Sequence, residues 1–352
     1  MSEQARPAGA PAPSARAEIC LVTGATGFIG GRLAERLAGE GRAVRCLVRA
    51  QSDTSRLESL GVELALGDLT SPSSLRSAAE GAEAVFHCGA LVSDWASTAE
   101  IAAVNVAGTR SLLEACHDAS VRRVIHLSST DVYGYPGGVA VDEHHVPARF
   151  RNWYAQTKLE AEAEVWRTVG ARELEAVILR PATVYGPGSK DVIGEIARAL
   201  RGGHMLLIGR GRAVAGLCYI GNLLDAAVLA LDHEAASGEA FNVSDGLDIS
   251  WRELTDALAD GLGCARARWS VPYWLAYALG FSLEHAYRLL HQSFGLSTSP
   301  LLSRQAVHVL GRNQDFSNRK LREMLGWEPR VGWAEGLAAT LAWLRAGQLE
   351  PA

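Results

Sequence analysis

The chain has 352 residues, of which 48% are hydrophobic and 21% are charged, an ordinary composition for a soluble globular protein of one large domain or two unequal ones. A net charge of −5 without a basic stripe gives no electrostatic reason to expect nucleic acid as a partner. Six cysteines lie without CxxC or zinc-like spacing, so we expect no metal site, reduced thiols and a cytoplasmic location.

The order of the predicted elements indicates an α/β fold. Residues 1–17, rich in Ala, Pro and Ser, predict a disordered tail, since they contain no continuous apolar stretch of the signal-peptide kind. We predict strands at Glu18–Val22, Ala43–Val48, Val62–Leu66, Ala84–His87, Val121–Leu127 and Glu175–Leu179. We predict helices near 28–39, 72–80, 100–119 and 153–170. This alternation means right-handed crossovers and a doubly wound parallel sheet with helices on both faces.

A glycine-rich turn separates the first predicted strand from the first predicted helix. Gly24, Gly27 and Gly30 recur at three-residue intervals in the stretch 23–30. This spacing allows a tight turn, a close approach of backbone N–H groups to an anion, and close helix–strand packing. The helix N-terminus adds about half a positive charge. We therefore assign a pyrophosphate site to Gly24, Thr26, Gly27, Phe28, Ile29 and Gly30.

The end of the second strand indicates which dinucleotide binds. Arg49 stands where an NAD enzyme usually has an acid for the ribose 2′-hydroxyl, and a guanidinium suits a 2′-phosphate. Ser52 adds a hydroxyl, and Arg45 and Arg56 are expected to raise the local positive charge. A solvated arginine at a strand end is the simpler alternative. We expect NADP(H) to be preferred, with NAD(H) possible.

After the third strand, Asp68 lies where a carboxylate can bind an adenine amino group. The alternative is that it caps the helix beginning near Pro72, and both roles can hold together.

A tyrosine and a lysine share one face of the helix predicted near 153–170. Tyr154 and Lys158 are four residues apart, so they lie one turn from each other. A tyrosine with its reference pKa of about 10 is a poor acid–base catalyst at neutral pH. We expect the Lys158 ammonium, with a nicotinium cation alongside, to lower the tyrosine pKa and permit proton transfer. A hydroxyl in the stretch 128–130 and the amide of Asn105 complete a proton-relay set.

The chain resembles the extended short-chain dehydrogenase/reductase superfamily over roughly residues 18–345. The matching segments are TGATGFIG (23–30), GDLT (67–70), VNVAGT (104–109), SSTDVYG (128–134), YAQTK (154–158), RPATVYGPG (180–188) and the C-terminal stretch 315–337. The resemblance implies a Rossmann fold and a catalytic set of Ser129, Tyr154 and Lys158, with Asn105 as a relay residue. It also implies that Leu69, Ala90, Pro181 and Val184 line the cofactor.

The strand–helix alternation loosens from about Val192 onward, which predicts that the chain divides into two parts. Residues 18–190, with returning segments near 215–245, should form the NADP-binding Rossmann domain, and 191–345 should form mostly a smaller substrate-binding cap. The cap includes an apolar segment, 271–302, whose run 271–290 is interrupted by charges and is too short to span a membrane. It is a core helix, a lid over an apolar ligand, or a contact with a membrane surface.

The substrate class depends on the second half of the chain. Ala215 and Gly216 stand where nucleotide-sugar enzymes typically carry an Arg–Asp pair, although Arg210 and Arg212 can compensate. The aromatic character of the apolar segment instead favours the branch of 3β-hydroxysteroid dehydrogenases and ketone reductases. Chemistry of the plant flavonoid or cinnamoyl reductase type is a third possibility. As residues that contact the substrate we select Ser93, Thr130, Tyr185 and Arg212.

Two further expectations follow from the resemblance. Some members of the superfamily bind NADP without catalysis and act as sensors, but these typically lack the tyrosine or the lysine, and both are present in this chain. Relatives commonly form homodimers through two helices, here those near 100–119 and 153–170.

Overall fold

The structure, a computed structural model, describes residues 18–92, 96–146, 153–171, 174–294 and 303–347, without the side chains of 285–294. The tail predicted to be disordered, residues 1–17, lies outside this range. The strands are β1 (Ile19–Thr23), β2 (Ala43–Val48), β3 (Glu63–Leu66), β4 (Ala82–His87), β5 (Arg123–Leu127), β6 (Glu175–Pro181), β7 (Thr183–Tyr185), β8 (Leu206–Ile208), β9 (Leu217–Tyr219), β10 (Ala240–Val243) and β11 (Trp269–Val271).

A seven-stranded sheet confirms the predicted doubly wound α/β fold. Its order is β10-β6-β5-β4-β1-β2-β3, and every pairing within it is parallel. The strand order therefore reverses between β1 and β4, the point at which open sheets of this kind bind ligands. The edge strand β10 comes from the returning segment near 215–245. Strand β5 begins at Arg123, two residues later than predicted.

The helices cover both faces of the large sheet and continue into the second half of the chain. They are α1 (Phe28–Gly39), α2 (Ser55–Glu58), α3 (Pro72–Ala79), α4 (Thr98–Ala102), α5 (Gly108–Asp118), α6 (Trp153–Ala171), α7 (Glu195–Arg201), α8 (Ile220–Asp232), α9 (Trp251–Leu262), α10 (Tyr273–Phe294), α11 (Arg304–Gly311), α12 (Arg319–Leu325) and α13 (Trp333–Arg345). The single helix predicted near 100–119 is instead divided, because a π-helical turn at Ala103–Ala107 separates α4 from α5.

Two apolar cores enclose the large sheet. On one face, Leu33 and Leu37 of α1 pack with Leu223 of α8. On the other face, Leu112 of α5 and Val165 of α6 belong to a second core. Each face of a sheet covered on both sides must bury apolar side chains, and β5 accordingly has no exposed residue. The helices thereby hold the carboxyl ends of the strands in fixed positions.

A third core, formed by α7, α9 and α13 around Trp251, lies in the second half of the chain. Two pairs of short parallel strands, β7 with β9 and β8 with β11, accompany it. Among the described residues, no helix is long and apolar enough to cross a membrane.

Candidate active site

The turn between β1 and α1 leaves room for an anion but not for side chains. Gly24 has a φ of +67°, and a Cβ there would lie 2.7 Å from the backbone of Gly89. A Cβ on Gly30 would lie 2.4 Å from the Gly24 carbonyl oxygen. Gly27 caps α1 without a side-chain hydrogen bond, so the first N–H groups of the helix keep their donor capacity. The turn therefore fits a pyrophosphate on backbone donors and the helix dipole.

The other predicted cofactor residues lie around this turn and at the adjoining strand ends. Thr26 is exposed, and Phe28 and Ile29 are half-buried. The Phe28 ring lies 3.1 Å from the position of a Cβ on Gly188. Pro181 ends β6 and Val184 lies in β7, whereas Leu69 is buried in the sheet core and Ala90 is half-buried after β4.

Of Arg45, Arg49 and Arg56, only Arg49 has no carboxylate partner among the described residues. It is exposed directly after β2, and Ser52 donates its backbone N–H to the Arg49 carbonyl oxygen at 3.0 Å. Arg45 instead pairs with Glu63 at 2.8 Å, and Arg56 pairs with Glu35. The expectation that Arg45 and Arg56 add free positive charge is therefore wrong, because carboxylates neutralise both.

Asp68 orders the turn after β3. Its Oδ1 accepts hydrogen bonds from the backbone N–H and the hydroxyl of Thr70, at 2.8 and 2.6 Å. These bonds, the hydroxyl first, lower the pKa of Asp68, and the charge of Arg49 lowers it further. The N-cap position of α3 is occupied by Ser71, without a capping side-chain hydrogen bond, so the alternative role of Asp68 as the N-cap is wrong.

Helix α6 brings Tyr154 and Lys158 to the carboxyl end of β5. Lys158 Nζ donates to the carbonyl oxygen of Leu127 at 2.7 Å. That strand end leads directly into Ser129, whose Oγ accepts the Asp131 N–H at 3.1 Å and keeps its own hydrogen to donate. Tyr154 lies one turn before Lys158 on the same helix and is partly buried. The structure thus brings the three predicted catalytic residues to one sheet edge.

Burial shifts the pKa of both Tyr154 and Lys158, and the shift of the tyrosine is opposite to the expected one. Burial raises the pKa of Tyr154, and the carboxylate of Asp131 raises it further. Burial lowers the pKa of Lys158 to about 8, against the opposing influence of Cys88 and Glu162. The expectation that Lys158 lowers the tyrosine pKa does not hold for the protein groups alone. Tyr154 is therefore protonated at neutral pH.

A buried chain of hydrogen bonds connects the glycine turn with Asn105. Thr109 Oγ1 donates to the Asn105 carbonyl oxygen at 2.6 Å, so it must accept from His87 Nε2 at 2.9 Å. His87 Nδ1 then accepts from Thr23 Oγ1 at 2.8 Å, and Thr23 Oγ1 accepts the Gly89 N–H at 3.1 Å. Burial, together with the smaller effect of the Lys158 charge, lowers the pKa of His87 to about 3. The network therefore fixes a neutral His87 protonated on Nε2.

Asn105 lies in the π-helical turn and holds two other segments. Its Nδ2 donates to the Leu91 carbonyl oxygen at 3.1 Å and to Thr157 Oγ1 at 3.2 Å, and its Oδ1 accepts the Leu91 N–H at 2.7 Å. Thr157 in turn donates to the Tyr154 carbonyl oxygen at 2.9 Å. Asn105 thus contacts α6 through Thr157 and not through Tyr154 or Lys158.

A second buried network fixes the tilt of α6. Arg180 on β6 forms two hydrogen bonds with the Glu162 carboxylate, at 2.9 and 2.6 Å. Arg180 also donates to the Tyr133 hydroxyl at 2.8 Å, and Tyr133 donates to Asn242 Oδ1 at 2.8 Å. Glu162 follows Lys158 by one turn and Tyr133 follows Ser129 by four residues. The network therefore connects the two segments that carry the predicted catalytic residues.

The four residues expected to contact the substrate do not share one environment. Ser93 lies outside the described residues. Thr130 is buried and Arg212 is exposed. Tyr185 is wholly buried and packs against Tyr219 and Trp333, so we correct its assignment: its ring belongs to a core.

Sequence reasoning missed several residues of the site. Glu162 extends the four-residue spacing of Tyr154 and Lys158, a signal that a third residue shares their helix face. His126, buried beside His87 with no hydrogen-bond partner among the described residues, gave no such signal. Gln305 of α11 donates to Asp131 Oδ2 at 3.2 Å across 174 residues of chain. Over the described part of the chain, no cluster of His, Cys, Asp or Glu could hold a metal ion.

Comparisons with known proteins find relatives over most of the chain. The model of the NAD dependent epimerase/dehydratase family matches residues 20–244. A 4-hydroxy-2-methyl-3-oxo-4-farnesyl-3,4-dihydroquinoline-1-oxide ketoreductase of Stigmatella aurantiaca is 30% identical, covering 93% of this chain and 97% of its own. A 3beta-hydroxysteroid-dehydrogenase/decarboxylase isoform 1 of Arabidopsis thaliana is 29% identical, covering 92% and 78%. The solved structure of MoeE5 with UDP-glucuronic acid and NAD is 28% identical, with a TM-score of 0.72 and coverage of 93% and 99%.

Proposed function

The chain belongs to the NAD dependent epimerase/dehydratase family, within the extended short-chain dehydrogenase/reductase superfamily, and we propose that it reduces a ketone, or oxidises the matching alcohol, on a largely apolar small molecule with NADP(H). The predicted resemblance is confirmed, as is the prediction of an enzyme, since relatives are named dehydrogenases and reductases. The observation that carries the proposal is the arrangement of Tyr154, Lys158 and Ser129 at one sheet edge.

The roles of these residues follow from their protonation states and partners. A raised pKa keeps the Tyr154 hydroxyl protonated at neutral pH, the state that a proton donor to a carbonyl oxygen needs. The Ser129 hydroxyl oxygen accepts the Asp131 N–H, so the hydroxyl hydrogen remains available to the same carbonyl oxygen. Lys158 lies one helical turn after Tyr154, and its ammonium donates to the Leu127 carbonyl oxygen.

The residues present fit a nicotinamide dinucleotide. The glycine turn would hold its pyrophosphate, because Gly24 and Gly30 have no side chains to obstruct the turn. Asp68 and Arg49 would hold its adenosine end. The chemistry that a bound reduced nicotinamide supplies is hydride transfer to the carbonyl carbon. Tyr154, Lys158 and Ser129 contribute orientation and the proton.

The preference for an apolar substrate is supported by the region around β9. The backbone of Gly216 contacts that of Gln314, and a Cβ at 216 would lie 2.1 Å from the Gln314 carbonyl oxygen. A side chain of the Arg–Asp pair typical of nucleotide-sugar enzymes therefore has no space at this position. The Stigmatella relative is named for a farnesylated, bicyclic ketone substrate, in agreement with the proposed apolar substrate.

A substrate screen with NADPH tests the proposal. Apolar cyclic and long-chain ketones and a set of nucleotide-sugars are offered separately, and NADPH consumption is followed by absorbance. We expect turnover with the apolar ketones. Consumption with nucleotide-sugars alone would overturn the proposal.

The cofactor preference is tested by titrating NADPH and NADH against intrinsic tryptophan fluorescence. Because Arg49 has no carboxylate partner among the described residues, we propose that it binds the 2′-phosphate. Arg49→Gln should weaken NADPH binding by about tenfold or more and leave NADH binding nearly unchanged. Arg122→Gln, on the remote end of β5, serves as the control. Tighter binding of NADH than of NADPH by the unaltered protein would contradict the preference.

Nucleotide-sugar chemistry is the second candidate function. The observation that favours it is the similarity to MoeE5, whose structure contains UDP-glucuronic acid and NAD. Arg212 is exposed and could meet a diphosphate. The same screen decides between the two. The homodimer through α4–α5 and α6 also remains a proposal, which light scattering after size exclusion would test.

A further inference from the structure

The first half of α10 has an exposed face that is entirely uncharged. Within Tyr273–Glu284, every exposed residue lies on one arc of the helix, which we call the α10 face. Its large members are Trp274, Leu275, Leu279, Phe281 and Leu283. The remaining polar group on the arc, the Ser282 hydroxyl, is satisfied by donating to the Ala278 carbonyl oxygen at 3.0 Å. A surface helix normally carries charged residues on this side.

The opposite face of α10 is already packed, so the exposed arc is not the side of the helix that faces the core. Ala276 is buried with Val307 of α11. Glu284 is buried and accepts from the Arg304 backbone N–H at 2.7 Å, with an ion pair to the same arginine at 2.6 Å. The helix is thereby fixed on α11 with its apolar face outward.

The strand before α10 extends this surface. Trp269 of β11 is 72% exposed, and Trp274 is 69% exposed. Leu206, which pairs with Trp269 across the two strands, is also exposed. Large apolar side chains exposed on consecutive elements of a surface mark an interaction site.

Two arginines without a carboxylate partner among the described residues lie close to this surface. Residues 261–283 contain no Asp or Glu. Arg268 is exposed beside Trp269, and Arg210 lies next to β11 through its backbone bond to the Ser270 hydroxyl at 2.7 Å. Among the described residues neither arginine pairs with a carboxylate. The rim is therefore suited to an anionic surface.

We propose that the chain docks on the surface of an anionic lipid bilayer through the α10 face, Trp269 and Leu206. Tryptophan side chains favour the level of the lipid headgroups, apolar helix faces enter the boundary with the acyl chains, and arginines attract anionic lipids. In this arrangement α10 lies in the plane of the bilayer surface and does not cross the bilayer. A contact between two copies fits less well, since a two-fold interface places the same arginines of both copies on one surface.

Docking of this kind also places the active site near the lipid. Helix α11, which packs on α10, reaches Asp131 through Gln305. If the substrate is an apolar ketone, as proposed above, it concentrates in the bilayer beside the site. Binding to the bilayer does not itself depend on that proposed function.

The experiment uses the full chain and vesicles of phosphatidylcholine with or without phosphatidylglycerol. Cosedimentation and quenching of tryptophan fluorescence by lipids that carry a nitroxide report binding. We expect binding to the anionic vesicles. The double substitution Trp274→Ser with Phe281→Ser should weaken it by about tenfold or more, and Arg268→Gln by about fivefold. Met324→Ser, an exposed apolar residue of α12, is the matched control and should change nothing.

Three outcomes would overturn the proposal. One is the absence of vesicle binding and quenching with the unaltered chain. Another is equal loss of binding in Met324→Ser. The third is that the unaltered chain has twice the monomer mass by light scattering and does not bind vesicles, and that Trp274→Ser with Phe281→Ser restores the monomer mass. That result would assign the face to a second copy. Circular dichroism and NADPH binding verify that each variant is folded, and Arg268→Gln tests the surface without removing an apolar side chain.

Discussion

At the carboxyl edge of the large sheet, polar side chains are buried and most have defined partners, whereas on α10 large apolar side chains are exposed. His87, Thr109 and Asn105 form a chain in which each donor and acceptor is assigned. Trp274 and its neighbours instead leave their apolar area in water. Both arrangements cost free energy in an isolated monomer, the first by desolvation and the second by apolar hydration. Each therefore indicates a function, one chemical and one of contact with another surface.

The largest expected effect is on turnover at the buried edge. Tyr154→Phe removes the proton donor, and we expect kcat to fall by about 10²–10⁴-fold while NADPH binding is retained. Stopped-flow or steady-state assays with the best ketone of the screen measure it. Trp153→Phe, the exposed neighbour on α6, should leave kcat nearly unchanged. A protein that acts as an NADP sensor would keep its output in Tyr154→Phe, contrary to this prediction.

The second-largest effect is expected in the Arg180–Glu162 network, which connects β6 with α6. Arg180→Met leaves the Glu162 carboxylate buried without its partner, so the free energy of unfolding should fall by about 3–5 kcal/mol in urea titrations. The control is Arg122→Met, which breaks an exposed pair with Glu83 and should cost less than about 1 kcal/mol. Equal losses in the two variants would show that burial does not determine the value of these pairs.

A smaller loss is expected within the His87 chain. Thr109→Val keeps the side-chain shape but removes the acceptor of the His87 Nε2 proton, leaving a buried donor unsatisfied. The free energy of unfolding should decrease by about 1–3 kcal/mol. Thr70→Val, in the exposed turn of Asp68, provides the comparison at a solvated site. A neutral outcome for Thr109→Val would mean that the assigned donor direction is wrong.

The pH dependence of activity tests the charges at the site. As the pH rises through the Lys158 pKa of about 8, the ammonium is lost, and kcat/KM should fall. Asp131 raises the pKa of both Lys158 and Tyr154, so Asp131→Asn should move this descending limb to lower pH. Asp118→Asn, on the exposed end of α5, should not move it. A limb that stays in place or moves upward in Asp131→Asn would contradict the assignment.

The smallest expected effect is on the α10 face. Trp274→Ser should change the free energy of unfolding by less than about 0.5 kcal/mol, because the side chain contributes little to the fold. Trp251→Ala, in the core of the second half, should cost about 3–5 kcal/mol in the same titration. A large loss in Trp274→Ser would show that the α10 face stabilises the monomer and is not a docking surface.

The sequence predicted the fold well because its signals are local. Alternating β-rich runs and helical patterns placed six strands of the large sheet within two residues of their observed limits. The spacing of Gly24 and Gly30 predicted a turn that the steric contacts explain. The four-residue spacing of Tyr154 and Lys158 needs only a helix to bring both onto one face. Each of these inferences depends on residues that are close in the chain.

Inference from sequence was less successful where a residue's environment comes from distant parts of the chain. Tyr185 was assigned to the substrate, but Trp333 and Tyr219 enclose it in a core. Arg45 and Arg56 were expected to raise the local positive charge, but strand pairing and the position of α1 bring Glu63 and Glu35 to them. Neither carboxylate could be assigned before the strand order was known.

By itself, then, the sequence determined the sheet, the glycine turn and the identity of the tyrosine and lysine, because each follows from the period of a strand or a helix. Only the tertiary structure decided their chemical state and surroundings. Desolvation by packed neighbours raises the pKa of Tyr154, and Arg180 reaches Glu162 only because β6 lies beside α6. The outward face of α10 was likewise decided by α11 occupying the other side of the helix.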